Sequence, residues 1–199
     1  MLLTVKKTYG NAFLNLVRQL LLADTMEYRP IAFRVGDSSN VLMIDDSVEE
    51  DMTEFISKFC SGSFIATSDA EMAKVNVRCD KVLKLSSIKT GELFFKGDDI
   101  EVLHSFSPVE VQVIFRRGTG SYSSDENVEF LERNNINVDD YVCISSRHSL
   151  ISKFAYTTTE SKDSITYNLD IVCKHGVHED VLLSDVAARI KELSDCLIS

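Results

Sequence analysis

The chain has 199 residues, of which 44% are hydrophobic and 26% charged, with a formal net charge of −10. This composition excludes a disordered polar chain and supplies a core for one large domain or two small ones. The acidic balance makes free DNA or RNA a poor direct partner, because phosphate binding draws on clustered Lys and Arg. Five cysteines (Cys60, Cys79, Cys143, Cys173 and Cys196) are widely spread with no Cys-x-x-Cys pair, the pattern of packed thiols in a reducing compartment. No apolar run approaches the roughly 20 residues of a membrane span, and the first residues lack a signal-peptide core. The expectation is an intracellular, soluble protein with no membrane partner.

In chain order, the first predicted element is a helix from about Gly10 to Ala23, with Phe13, Leu16, Val17, Leu20 and Leu21 on one face. Strands are expected at Ile31 to Val35 and Val41 to Ile44, then a short helix from about Asp51 to Phe59. Val82 to Ile88 and Glu92 to Phe95 flank Lys89-Thr90-Gly91, the pattern of a hairpin, and Ile100 to Leu103 follows as a strand. Val109, Val111, Val113 and Phe115 alternate with Glu110, Gln112 and Ile114, the period of a half-buried strand. Tyr141 to Ile144 is a further strand candidate, and Ile165, Tyr167, Leu169, Ile171 and Cys173 alternate cleanly. The last element is a helix from about Glu179 to Leu197, with a stripe of Leu182, Leu183, Val186, Ala187, Ile190, Leu193 and Leu197. Glu179 and Asp180 sit in its first turn, where the helix dipole favours negative charge. The predicted class is α+β, with long helices at both ends of the chain and a β-rich section between them.

Candidate chemistry is sparse. The acids Asp45, Asp46, Glu49, Glu50, Asp51 and Glu54 read as a solvated loop and helix start, since the central Gly of a calcium loop is missing. Gly97-Asp98-Asp99 is either a metal-binding Asp pair, which needs further converging acids, or a turn, which Gly and Asp favour. Arg117-Gly118-Thr119-Gly120-Ser121 has the backbone composition of an anion nest but lacks the Lys of a phosphate loop, so a tight loop leaving the strand is expected. Cys173, His175 and His178 lack an evident fourth ligand, His104 and His148 stand alone in the sequence, and no Gly-x-Ser-x-Gly elbow occurs. No catalytic residue and no metal site are assigned.

Several segments then fall into one collinear order. Thr8-Tyr9-Gly10-Asn11-Ala12, opening an amphipathic helix, resembles the Thr-Leu-Gly-Asn-Ala start of the first helix of bacterial RNA polymerase α subunits. Asp51-Met52-Thr53-Glu54-Phe55-Ile56 is similar to that family's Asp-Val-Thr-Glu-Ile-Ile, and Gly97 to Val102 to its Asp-Gly-Asp-Val-Glu-Ile turn and strand. Arg116 to Tyr122 resembles Lys/Arg-Gly-Arg-Gly-Tyr with one extra residue before the Tyr. Ser149 to Tyr156 resembles Ser-Pro-Val-x-Lys-Val-x-Tyr, with Leu150 in place of the Pro. Lys162 to Val172 and Glu179 to Ala187 resemble the family's late strand and last helix.

The resemblance covers the family's N-terminal assembly region and implies its fold. Residues 1–29 with 150–199 would form a discontinuous dimerisation subdomain, and 30–149 an inserted β-rich domain. It implies a dimer interface at Phe13, Leu16, Val17, Leu20, Leu183, Val186, Ala187, Ile190, Leu193 and Leu197. It implies contacts to β-type and β′-type large subunits through Gly10, Asn11, Arg18, Lys153 and Tyr156, and a structural loop at Arg117, Gly118, Gly120 and Tyr122. The family's paired Arg in the first helix is Leu14-Asn15 here, with Arg18 the nearby cation. The implied function is non-catalytic: a subunit of a DNA-directed RNA polymerase, a nucleotidyltransferase, that dimerises and scaffolds the large subunits for transcription. No cofactor is implied in this chain, the active-site Mg of the assembled enzyme being carried by a large subunit. Ending after the last helix, the chain is expected to lack the family's linker and C-terminal DNA-binding domain, as a divergent phage, viral or organellar subunit, or a truncated piece of a longer subunit, would. The implied setting is a bacterial or phage-infected cytoplasm, or an organelle. An archaeal or eukaryotic-type α-like heterodimer and an unrelated α+β binding protein are the alternatives.

Overall fold

A computed structural model describes residues 2–23, 26–36, 46–67, 69–89, 93–174 and 179–198, with backbone only at 23, 179, 181, 185 and 193–198. In chain order the elements begin with β1 (Leu2–Lys6), α1 (Gly10–Ala23), β2 (Glu27–Val35), α2 (Met52–Cys60), β3 (Ser63–Ala66), β4 (Met72–Cys79) and β5 (Val82–Lys84). There follow β6 (Leu93–Lys96), β7 (Glu101–His104), β8 (Val109–Gly118), β9 (Gly120–Tyr122), α3 (Ser124–Arg133) and β10 (Val142–Cys143). The chain closes with β11 (Ser146–His148), β12 (Ile151–Glu160), β13 (Ser164–Cys173) and α4 (Glu179–Ile198). The class is α+β. Two compact units are present: Met1–Thr25 with Ser149–Ser199, and Met26–His148.

The first unit is built on an antiparallel sheet in the order β1-β13-β12. The first strand of the chain therefore lies beside the last, Leu2 opposite Asn168 and Lys6 opposite Ser164. Alternation along β13 turns Ile165, Tyr167 and Leu169 to one buried face. Against that face pack Leu14, Val17, Leu20 and Leu21 of α1 and Leu182 and Val186 of α4. Gly10 opens α1 at a close approach: a Cβ there would lie 2.8 Å from the Tyr167 hydroxyl and 2.9 Å from Ile165 Cδ1. Any larger residue there would force these two side-chain tips to shift.

The second unit centres on an antiparallel sheet in the order β10-β2-β8-β4. Both faces of β8 are covered. Val109, Val111, Val113 and Phe115 enter a large core with α2 and the β3-β6 and β5-β7 ribbons, while Ile114 enters a smaller core with Phe130 and Leu131 of α3. A register shift between Pro30 and Ala32 lets β2 serve both sides, Phe33 in the large core and Ile31 and Ala32 in the small one. Asp51 caps α2 by accepting from the Glu54 amide at 2.7 Å.

The structure departs from the sequence in three places. Val82 to Ile88 does not run as one arm of a hairpin, since β5 pairs with β7 and β6 with β3, but an antiparallel bridge between Lys89 and Phe94 spans the expected turn, whose Thr90, Gly91 and Glu92 lie outside the described residues. A 3-10 turn at Leu85–Ser87 breaks the run, so that Leu83, Leu85 and Ile88 all reach the core, which one straight strand would not allow. β1, β3, β4, β9, β11 and α3 were not expected. Val41 to Ile44, His175 and His178 lie outside the described residues. No described helix is long and apolar enough to cross a membrane.

Candidate functional site

In the first unit, the apolar stripes of the terminal helices split into two rows. The inner row, Val17 and Leu20 with Leu14 and Leu21 on α1 and Val186 with Leu182 on α4, is buried in the chain's own core. The outer row comprises Phe13 and Leu16 on α1 and Leu183 and Ile190 on α4, all half-buried, with Ala187 exposed between the last two. Of the residues expected at a dimer interface, Val17, Leu20 and Val186 are thus core, and the outer row is what a second copy could reach. The side chains of Leu193 and Leu197 lie outside the described residues.

Of the residues expected to touch large subunits, Gly10, Asn11 and Tyr156 gather around Tyr167. Gly10 is buried, and its role is the close approach described above. The Asn11 Oδ1 accepts from the Tyr167 hydroxyl at 3.2 Å, and Arg18 is exposed. On β12, an edge strand, the Lys153 ammonium pairs with Asp170 at 2.8 Å across to β13. Tyr156 is 48% exposed and sets its ring edge-on to Tyr167, 6.0 Å between centroids.

In the second unit, Arg117, Gly118, Gly120 and Tyr122 do come together, at the tight turn from β8 into β9. Tyr122 folds back so closely that a Cβ on Gly118 would lie 2.7 Å from its ring, and Gly120 has φ 69°, in the left-handed region. The turn is not a free exposed loop: Gly118 is buried, and β9 pairs with β11. Over the Tyr122 ring lies the Arg116 guanidinium, 3.6 Å from its centroid, which also stacks 4.5 Å from that of Phe130.

Arg116 begins a buried polar chain that the sequence did not reveal. Its Nη1 donates to Asn127 Oδ1 at 3.0 Å. The Asn127 Nδ2 donates to the Ile144 carbonyl at 2.8 Å and to Ser146 Oγ at 3.2 Å. Ser146 Oγ lies 3.0 Å from His148 Nε2, and His148 Nδ1 lies 2.8 Å from the Glu27 carbonyl. A carbonyl only accepts, so His148 Nδ1 carries a proton, and in the neutral ring Nε2 then accepts from the Ser146 hydroxyl. Fully buried, His148 is a structural link between β11 and β2, not an isolated residue. Sequence carried one signal for the helix that supplies Asn127: Ser123 and Glu126 form a capping box.

The acidic cluster also differs from expectation. Glu50 is buried and braces α2 to β7: Oε1 lies 2.7 Å from His104 Nδ1 and accepts from Lys58 at 3.0 Å, while Oε2 accepts from the His104 amide at 2.7 Å. Burial alone would raise the Glu50 carboxyl, but the His104 and Lys58 hydrogen bonds outweigh it and hold it at about 2. The same contact with Glu50 raises the His104 imidazole. The Glu50 contribution is complete above its ordinary value of 4.5 and is lost as pH falls toward about 2. The His104 contribution is complete below its ordinary 6.5 and is lost as pH rises through its raised value. Chemical denaturation across pH is expected to show the brace strongest between these two ordinary values. Glu50→Gln should flatten the acid side, a change on the order of 1–3 kcal/mol; an unchanged acid limb would refute the brace.

Gly97-Asp98-Asp99 forms a turn. The Asp99 carboxylate accepts from the Ser86 amide and hydroxyl, both at 2.9 Å, and these bonds lower its pKa. No His, Cys, Asp and Glu grouping that could hold a metal ion occurs among the described residues. No protein-family model matches the chain, and no curated protein matches it.

Proposed function

We propose that this chain is a non-catalytic α-type subunit of a multi-subunit DNA-dependent RNA polymerase, acting as a dimeric scaffold for its β-type and β′-type subunits. The observation that carries this reading is the agreement between the resembling segments and the elements they occupy. Thr8 to Ala12 leads into α1 at Gly10, and Asp51 to Ile56 supplies the cap and first turns of α2. Gly97 to Val102 is a turn leading into β7, and Arg116 to Tyr122 joins β8 to β9. Ser149 to Tyr156 starts β12, Lys162 to Val172 carries into β13, and Glu179 to Ala187 begins α4. Each resembling segment occupies the type of element the resemblance implies for it, and this supports the reading.

The physical mechanism is assembly by burial. The outer rows Phe13 and Leu16, and Leu183, Ala187 and Ile190, would meet their symmetry mates, each large side chain contributing roughly 1.5–3 kcal/mol when fully buried. A two-fold interface presents the same patch twice, so these few residues are counted on both sides. The test is to purify the tagged protein from its source at moderate salt and determine subunit masses and stoichiometry by native mass spectrometry. Two copies with two much larger chains are expected. One copy paired with a different chain of similar size would instead identify an α-like heterodimer, and a lone monomer without large partners would overturn the scaffold reading.

A further inference from the structure

The cleft beside the β8–β9 turn is independent of that scaffold role. It encloses about 360 Å³ within the second unit and is lined among others by Arg116, Arg117, Arg133, Thr119, Tyr122 and Glu71. That volume falls in the range of small-molecule sites, roughly 300–1,000 Å³. On a chain of net charge −10, three arginines lining one cleft call for an explanation. We propose that this cleft binds a small phosphate-bearing anion, gripped by Arg116 and Arg133.

Arg116 is the anchor. Tyr122 and Phe130 stack on it, and Nη1 is engaged by Asn127 Oδ1 and, at 3.4 Å, by the Glu126 carbonyl. The Glu126 carboxylate is near enough to feel its charge but is hydrogen-bonded to Ser123, and among the described residues no carboxylate forms an ion pair with Arg116 and no hydrogen bond engages its Nε or Nη2. A guanidinium fixed in plane by stacking, with an edge unspent, is preorganised for two parallel bonds to a phosphoryl group. Arg133 is 70% exposed: its Nε donates to the Glu129 carbonyl at 3.2 Å, and its Nη2 lies 3.9 Å from the equally exposed Glu129 carboxylate, which leaves that guanidinium edge weakly engaged. Arg117 pairs with Asp69 at 2.7 Å, but Asp69 is 92% exposed, so that contact is weak and exchangeable. Glu71 is the one acidic residue of the lining, against the three arginines.

The chemistry favours a compact anion over a polymer. The acidic chain repels polyanions at long range, whereas a small dianion inside the cleft feels mainly charges within the screening length of about 8–10 Å. Tyr122 and Phe130 are both engaged by Arg116, so a base would gain less from stacking than the phosphate gains from the arginines. Diphosphate and the phosphate tail of a nucleotide present the same group, and only binding can separate them.

The test uses the full chain and isothermal titration with inorganic diphosphate, with a nucleoside diphosphate and an Asp/Glu-rich peptide as parallel titrants. Diphosphate is expected to bind saturably at one site per chain and more weakly as salt rises. Arg133→Glu, at an exposed position in the last turn of α3 and with its folding checked by circular dichroism, should weaken it on the order of ten- to a hundredfold, the loss of charge-assisted bonds plus a repulsion. Arg116→Gln should do the same, with an unchanged circular dichroism spectrum as its folding control. Equal binding of the nucleoside diphosphate supports recognition of the phosphate alone, and tighter binding supports a nucleotide as the source. No saturable diphosphate binding, binding unaffected by Arg133→Glu, or binding of the acidic peptide alone would overturn the proposal. Each readout is independent of dimerisation and of large-subunit capture.

Discussion

Replacing Phe59 by alanine is expected to lower the unfolding free energy by about 3–5 kcal/mol, the range for emptying a fully buried aromatic site. Phe59 has no exposed surface and is the hub of the second unit's core. Its ring meets Phe33 of β2 edge-on with centroids 5.3 Å apart, stacks on Phe64 of β3 at 5.3 Å, and lies 5.7 Å from Phe55 and 6.1 Å from Phe115 of β8. One side chain on α2 thus ties the helix, a ribbon and two central strands. Each such pair adds roughly 0.5–1.5 kcal/mol beyond area burial, so the loss is not confined to the transferred atoms. The neighbouring strands are hydrogen-bonded and cannot collapse into the gap, which keeps the cost near the upper half of the range. Phe106→Ala is the matched control: that ring is 75% exposed, and its removal should change stability by less than about 0.5 kcal/mol. Urea denaturation of both variants checks this. A Phe59→Ala loss no larger than that of Phe106→Ala would mean that the aromatic cluster is not packed as described.

The same contrast explains which parts of the molecule could be read from sequence. β8 and β13 announced themselves because one face of each is a regular row of Val, Ile, Leu, Tyr or Phe. β4 has the same alternation in Ala73, Val75 and Val77, but with Lys74, Asn76 and Arg78 between them its apolar side chains are small and the signal is weak. α3 buries only Phe130 and Leu131 of its apolar residues, too few for a stripe, and its capping box was the better clue. The sequence could not show that Leu85 and Ile88 turn inward together, since that follows from a 3-10 turn and from which ribbons are available to receive them. The polar links are harder still. Glu50 and His104 are 54 positions apart, and His148 and Glu27 are 121 apart. Periodicity reports which face of an element is apolar; it carries no information on which distant polar group will satisfy a buried one.

It likewise cannot say what covers an apolar stripe, and two variants of the first unit separate the possibilities. Leu20→Asp is expected to unfold that unit. Leu20 is 6% exposed and packs in the inner row, where an unpaired carboxylate costs more than about 4 kcal/mol. Loss of dimerisation in this variant would therefore say nothing about an interface. Ala187→Arg is the informative change. Ala187 is exposed on α4, one turn from Leu183 and three residues from Ile190, and so lies in the outer row. Arginine is nearly as good a helix former as alanine, so monomer stability should hold. On the proposed assembly, however, a long charged side chain enters the centre of a two-fold contact and meets its own symmetry mate, with steric and like-charge penalties on both copies. The expected outcome is a folded monomer, with a wild-type circular dichroism spectrum and denaturation midpoint, that no longer co-purifies with large subunits. A stable Ala187→Arg dimer that still captured them would move the interface off this face of α4. The outer row would then be ordinary half-buried surface, and the edge strands β1 and β12 of the first unit's sheet would be the next surfaces to test.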